Sequence, residues 1–322
     1  MSKKKQMIVG VDLGGSKINA VLADAEGNIE ARNLRETLAE EGPDAVIGRI
    51  VESVQELASG AGVVGVGIGA AGAHDAGRGL ISFSPNLPGW NDIPLCEAVR
   101  REVGLPVYLE NDAAVAALGE RRFGGGAGVD NLIYVGLGTG IGGGIIIDGK
   151  LYSGACGAAG EIGHMIVDDK GPRCKCGNNG CWEVFASGWA LAEEAAKQIE
   201  AGVMTAVRRH VGGDASKVTA KAVFEAAQDG DYVAHELVSR AAYYVGVGLV
   251  NLVNIFNPEL ILVGGGLANM GELLLEPAME VVRERAFQIS ARTVRVELAR
   301  LGADAGTLGA VALVLDRRAG GT

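Results

Sequence analysis

Short apolar runs that end in glycine alternate along the chain with longer segments whose apolar residues recur at helical spacing. Met7–Val11 is an apolar strand. It breaks at Asp12-Leu13-Gly14-Gly15-Ser16-Lys17 and resumes as Ile18–Ala23, which predicts strand, glycine turn, strand. Gly27-Asn28 offers a further turn, and Asp44–Ala58 has the spacing of a helix. Val63–Ile68 is a buried-type strand running into Gly69-Ala70-Ala71-Gly72. Ile93–Val103 predicts a helix and Val107–Leu109 a strand. That strand ends in Glu110-Asn111-Asp112, and the alanine-rich Ala113–Arg122 then opens a helix.

A second strand, glycine turn and strand follow in Asn131–Val135, Gly136-Leu137-Gly138-Thr139-Gly140 and Ile141–Asp148. They overlay the first without gaps at an offset of 124 residues, so that Val11 meets Val135, Gly14 meets Gly138 and Asp24 meets Asp148. This fits two similar halves, each opening with a hairpin around a phosphate-sized turn. Beyond it, Ala190–Ala201, Ala220–Gln228 and Tyr232–Phe256 read as helices, the last stopped before Pro258. Leu260–Val263 is a strand ending in Gly264-Gly265-Gly266; Gly271–Ala286 is helical, Val294–Leu298 a strand and Ala305–Asp316 a closing helix. Strands alternating with helices predict α/β layers.

Composition narrows the function. Of the 322 residues, 48% are hydrophobic and 21% charged, as in a globular chain long enough for two domains. A net charge of −10 argues against nucleic-acid or anionic-membrane partners, which need a positive face. Anionic substrates would then be held by backbone N–H groups and metal ions. Lys3, Lys4 and Lys5 resemble the start of a signal peptide, but the apolar run after them stops at Asp12. The apolar stretch Leu249–Phe256 is interrupted by Asn251 and Asn254. The expected location is the cytoplasm.

Three of the five cysteines, Cys174, Cys176 and Cys181, fall in Cys-Lys-Cys-Gly-Asn-Asn-Gly-Cys, ten residues beyond His164. A Cys3His set suits tetrahedral zinc and leaves no open coordination position, so the metal would be structural. The alternative is three buried thiols and a surface histidine. Glu110-Asn111-Asp112 ends a strand where α/β sheets gather ligands; a carboxylate there can take a proton from a hydroxyl, and Asn111 can orient it. The alternative role for Asp112 is helix N-cap, with Ala113 at the first helical position.

The turns Asp12–Lys17 and Gly138-Thr139-Gly140 can aim N–H groups at phosphate, and Asp12 can hold Mg2+ directly or through water. Either turn alone could be an ordinary glycine hairpin. Gly264-Gly265-Gly266 suits close approach of a nucleotide. Gly67–Gly72 and Gly138–Gly143 both fit G-x-G-x-x-G without clearly opening a helix, and Gly144–Lys150 misses a P-loop because Leu151 stands in the Ser/Thr position. Glu161, His164 and Glu183 flank the cysteine cluster as acceptors for sugar hydroxyls, with Asn86 a further polar candidate or a plain turn residue.

Glu161-Ile162-Gly163-His164 followed by Cys-Lys-Cys-Gly-Asn-Asn-Gly-Cys-Trp-Glu resembles the signature of the ROK family (repressors, open reading frames, kinases). The Asp-Leu-Gly-Gly-Ser-Lys, Glu-Asn-Asp and Gly-Leu-Gly-Thr-Gly strings match its other landmarks, over essentially the whole chain. The resemblance implies an α/β, actin-like ATPase (ribonuclease H-like) duplicated fold, two domains with a cleft between them. The expected small domain is 1–112, completed by a C-terminal helix at about 305–322, and the large one is 113–304 with a zinc segment at 164–181.

By the same resemblance Asp112 is the catalytic base, and Gly72, Asn86, Asn111, Asp112, Glu161, His164 and Glu183 line a sugar site. Asp12, Gly14, Gly15, Ser16, Lys17, Gly138, Thr139, Gly140, Gly264, Gly265 and Gly266 serve ATP and Mg2+; His164, Cys174, Cys176 and Cys181 hold structural Zn2+. Asn86-Leu87-Pro88-Gly89-Trp90 and Glu110–Glu120 look most like bacterial glucokinases, which implies glucose as the hexose and a homodimer or higher homo-oligomer. Trp189 departs from the smaller or polar residue expected after Ala186-Ser187-Gly188. The alternatives are a kinase for mannose, fructose or an N-acetyl hexosamine, a polyphosphate-using kinase, or a sugar-sensing repressor. About six residues precede the first strand, short of the helix-turn-helix segment expected of a repressor.

Overall fold

The structure, a computed structural model, describes residues 5–84 and 86–319. Lys3 and Lys4, Pro85 in the loop before Asn86, and the last three residues of the expected C-terminal helix lie outside them.

The first predicted hairpin forms as β1 (Met7–Leu13) and β2 (Lys17–Asp24), followed by β3 (Ile29–Glu36). Along β3 half-buried and exposed positions alternate, as on the edge strand of a sheet. α1 (Pro43–Ala58) carries proline in its first turn and buries Val46, Ile50, Val54 and Leu57, one stripe of the helix. β4 (Val63–Ala70) leads into three short strands, β5 (Ala73–Asp75), β6 (Leu80–Phe83) and β7 (Asn91–Ile93), which pair antiparallel as a separate small sheet. Ile93 therefore closes a strand. α2 (Leu95–Val103) starts after Pro94 and ends at Gly104, whose left-handed conformation lets its N–H bond the Arg100 carbonyl.

β8 (Val107–Asn111) then runs straight into α3 (Asp112–Phe123). The second hairpin is β9 (Leu132–Leu137) and β10 (Ile141–Ile147), continued by β11 (Lys150–Leu151). Helices follow as α4 (Glu183–Ala186), α5 (Gly188–Glu200), α6 (Val207–His210), α7 (Ala220–Gln228) and α8 (Tyr232–Phe256). The chain closes with β12 (Leu260–Gly264), α9 (Glu272–Arg285), α10 (Gln288–Thr293), β13 (Arg295–Leu298) and α11 (Ala305–Ala319).

The first sheet has the order β3-β2-β1-β4-β8, with β2 antiparallel to its neighbours and β1, β4 and β8 parallel. The second has the order β11-β10-β9-β12-β13, with β10 antiparallel to β11 and β12 parallel to β13, and the 124-residue offset carries β1 onto β9 and β2 onto β10.

Backbone packing divides the chain into two compact units. One comprises Met1–Tyr134, Gly144–Gly160 and Ala299–Thr322; the other comprises Val135–Gly143 and Glu161–Leu298. This grouping differs from a boundary at 112, because α3 packs along α11 and α11 lies on the first sheet. In the first unit, one sheet face packs against α1 and α2 through Val9, Val11, Ile50, Val54, Leu95 and Val99. The other face packs Ile8, Val21 and Ala23 against Leu308, Val311 and Val314 of α11. A methyl group at Gly67 would overlap the Ala310 carbonyl, so the helix reaches the sheet only because β4 lacks a side chain there.

In the second unit Trp182 is fully buried and its Nε1 donates to the Tyr244 carbonyl of α8 at 2.7 Å. Gly248, one helical turn on, opens the slot for the indole, which any side chain there would overlap. Among the described residues no helix is long and apolar enough to cross a membrane.

Candidate active site

Parallel pairing of β1, β4 and β8 brings three strand ends to one edge of the first sheet. Asp12 is in register with Gly69, which is in register with Glu110; Ala70 pairs with Asn111. Asp12, the Gly72 turn, Asn111 and Asp112 thus share the carboxyl edge, where α/β sheets bind ligands. The N-cap of α3 is Asn111, whose Oδ1 accepts from Ala113 N at 2.9 Å and Ala114 N at 3.2 Å. Capping by Asn111 relieves Asp112 of that role and commits the Asn111 side-chain oxygen.

Asp112 is half-buried and its Oδ1 accepts from Ala113 N at 2.8 Å. Burial pushes its carboxyl above the usual range, while the Ala113 and Asp112 N–H groups and the charge at His74 pull the other way. The helix N-terminus therefore offsets only part of the desolvation. Asp12 is pushed up to about 6, first by burial and then by the negative charge of Asp112. Gly306, in the first turn of α11, lies so close that a methyl group there would stand 2.8 Å from the Asp12 carboxyl. Sequence reasoning missed Gly306, since only the fold carries α11 back to β1.

The remaining predicted residues of this unit sit nearby. Gly72 has φ +114, which only glycine adopts freely, and a methyl group there would overlap the Phe83 carbonyl. Gly15 abuts Asn86: a methyl group at Gly15 would lie 2.9 Å from the Asn86 carbonyl oxygen. Asn86 itself is exposed, as are Ser16 and Lys17. The Gly14 N–H bonds the Lys17 carbonyl at 2.9 Å, so it closes the turn and is not free for phosphate.

In the second unit, Glu161, His164 and Glu183 converge beside the cysteines. His164 Nε2 is 3.9 Å from Glu161, and Nδ1 is 3.6 Å from Glu183 and 3.7 Å from Cys174 Sγ. One ligand atom from each of His164, Cys174, Cys176 and Cys181 lies within 4.8 Å of every other. Cys176 and Cys181 sulfurs stand 3.6 Å apart, against roughly 3.8 Å for two sulfurs on a tetrahedral zinc with ~2.3 Å bonds. The donor set and spacing fit zinc. Gly171–Gly180 wraps this site, and Trp182, between Cys181 and Glu183, anchors it to α8.

A cavity of about 780 Å³ opens beside Gly138, Thr139, Gly188, Trp189, Lys221 and Gly266. That is the size of a pocket for a ligand like a nucleoside phosphate. Gly188 N–H and Trp189 N–H bond the Gly138 and Thr139 carbonyls at 2.8 and 3.1 Å, so the start of α5 holds the glycine turn. Gly140, Gly264 and Gly265 do not line the cavity but shape it. Gly265 has φ +84 and packs on the Leu137 backbone, and a methyl group at Gly140 would sit 3.1 Å from Glu183 Oε2. Trp189 faces the cavity with the Lys175 ammonium 4.2 Å from its ring centre. Lys221 was not singled out from the sequence, where it reads as an ordinary first-turn residue of α7.

A model of the ROK family matches residues 8–317. The chain belongs to the ROK family. It is 37% identical to the glucokinase of Thermotoga maritima over 98% of this chain and 99% of that protein. A putative xylose repressor of a Caldicellulosiruptor species is likewise 37% identical, over 98% of this chain and 79% of its own length. A crystal structure of a ROK family glucokinase from Streptomyces griseus in complex with glucose and AMPPNP superposes with a TM-score of 0.84. That relative is 40% identical, and the match covers 95% of this chain and 98% of that one. The fold is accordingly the duplicated α/β fold of the actin-like ATPases.

Proposed function

We propose that the chain transfers the γ-phosphoryl group of ATP to a hexose hydroxyl, glucose foremost, with Asp112 as general base. The observation that carries this reading is the pair of partly buried carboxylates, Asp12 and Asp112, at the carboxyl edge of one sheet. The glucokinase relatives support glucose and ATP as substrates.

A sugar hydroxyl attacks well only if its proton has an acceptor. Asp112, raised by burial, is a stronger base than an exposed carboxylate and can take that proton. Asn111 NH2, Gly72, Asn86, Glu161, His164 and Glu183 would hold the ring hydroxyls. Asp12 would hold Mg2+, which neutralises charge on the phosphates when bound. Gly15, Ser16, Lys17, Thr139 and Gly140 would meet the phosphates, and the cavity beside Trp189 would take the nucleoside. Zinc on His164, Cys174, Cys176 and Cys181 would fix the sugar-facing His164 rather than join the chemistry. The same reading makes the protein cytoplasmic and a homodimer or higher homo-oligomer; exposed Ile255, Phe287 and Ile289 offer apolar surface to a second copy.

The test is Asp112→Asn in a coupled assay with glucose and Mg-ATP. The cap of α3 belongs to Asn111, so the variant should fold. A fall in kcat of about 10²–10⁴ is expected, with glucose binding by Trp fluorescence largely kept. Near-normal kcat would move the base to Glu161 or Glu183. The similarity to a xylose repressor favours one second reading, a sugar sensor. Sugar binding by the wild type without turnover of any hexose would establish it.

A further inference from the structure

His74 lies on β5, with its ring buried between segments that carry proposed sugar residues. Nε2 is 2.6 Å from Glu110 Oε1, and Nδ1 is 3.3 Å from the Gly72 carbonyl oxygen. Glu110 Oε1 also accepts the Asn111 N–H at 3.1 Å, and Oε2 accepts from Ser153 Oγ at 3.5 Å. A carbonyl oxygen can only accept, so Nδ1 bears a proton. Both Glu110 oxygens accept from other donors, which suits an ionised carboxylate, and an ionised carboxylate takes the Nε2 proton as a third bond. The hydrogen bonds together fit a doubly protonated ring, an imidazolium paired with a carboxylate.

The side chains of the pair are 3% and 2% exposed, so water screens them little. Glu110 directly precedes Asn111-Asp112, and the positive charge of His74 reaches the Asp112 carboxyl. The hydrogen bonds join the Gly72 turn, the end of β8 and the Ser153 loop, and that loop returns at Gly157 to the His74 backbone. The other ionisable groups around this cluster are Asp12 of β1 and Tyr134 of β9, both coupled to Asp112, with Asp75 beside His74 and Tyr152 and Cys156 on the loop.

We propose that His74 is a positioning residue for Asp112: clamped to Glu110 as a buried imidazolium, it fixes the end of β8 and supplies the positive charge beside the base. This rests on the reading of Asp112 as base. A purely structural histidine would leave the pH dependence of kcat unchanged. One that acts through its charge sets it, because losing the cation makes Asp112 harder to ionise and moves the acid limb to higher pH.

The experiment compares wild type, His74→Gln, Asp112→Asn and the double variant in glucose phosphorylation from pH 5 to 9. Glutamine keeps a donor for Glu110 and removes the charge. For His74→Gln we expect the acid limb shifted up by about one unit, kcat about tenfold lower at pH values below that limb, and little change in KM for glucose. In the Asp112→Asn background the same change should cost nothing further. Wild-type kcat and acid limb in His74→Gln, with Asp112→Asn inactive, would overturn the proposal and leave the base intact. Equal losses in both backgrounds would also overturn it. An active Asp112→Asn would remove the base reading and this proposal together. Ring ¹⁵N NMR of the wild type needs no variant to fold. The chain has only four histidines, so the His74 signals are separable. Protonation on both ring nitrogens near pH 7 is expected, and a neutral ring would refute the clamp.

Discussion

Neutralising Asp12 should stabilise the unliganded protein while abolishing its activity. In the fold Asp12 titrates at about 6, against 3.8 for an unperturbed carboxyl, because burial and the charge of Asp112 both oppose ionisation. The folded state holds this proton more tightly than the unfolded chain does. The stabilisation is therefore complete below about pH 4 and lost as pH rises through about 6. About two units correspond to ~3 kcal/mol forfeited by pH 7.5. Asp12→Asn keeps the shape and avoids the loss. Removing the Asp12 charge also eases ionisation of Asp112, which adds in the same direction.

Urea unfolding of metal-free protein, followed through Trp90 in the core of the first unit, reads the difference. The variant should exceed wild type by up to ~3 kcal/mol at pH 7.5 and match it at pH 4. Mg-ATP should then stabilise wild type and leave Asp12→Asn unmoved. A difference independent of pH, or a variant weaker than wild type at pH 7.5, would refute the reasoning.

Metal analysis should find about one zinc per chain, and Cys176→Ser should lose it along with several degrees of Tm and part of the glucose affinity. Zinc-free protein with unchanged Tm and glucose binding would exclude the structural role. Gly248→Val drives a branched side chain into the Trp182 indole, an overpacking that costs about 1–3 kcal/mol or more. Calorimetry should show the lower Tm, and zinc should be retained less well because Trp182 adjoins Cys181; a normal Tm would mean that the slot relaxes freely.

The hairpins were legible because their glycine turns interrupt apolar runs, and the repeat at 124 residues foretold that one sheet would copy the other. β3 is hard to read because Ile29–Glu36 carries four charged side chains and only two large aliphatics, so its alternation is weak. The small sheet of β5, β6 and β7 was hidden because strands of three or four residues leave too short a pattern to read. Within the site, the Cys3His cluster could be read from spacing alone, since its cysteines lie close in sequence. His74 and Glu110 could not: 36 residues separate them, and β4-to-β8 pairing brings them together. For the same reason the sequence left open whether Asp112 caps α3, which the geometry assigns to Asn111.

The packing of α11 on the first sheet has a consequence for synthesis on the ribosome. The sheet face bearing Ile8, Val21 and Ala23 is made early, but Leu308, Val311 and Val314, which cover it, are translated only after the second unit. Until α11 has been made, the nascent first unit presents an apolar face without its own cover. The second unit lies within 135–298 and is complete before α11 leaves the exit tunnel. The order of completion is thus the reverse of the order of translation: the unit begun first is finished after the second, when α11 docks on it. A nascent chain stalled before residue 299 should engage chaperones that bind apolar surface, and one released with α11 included should let them go.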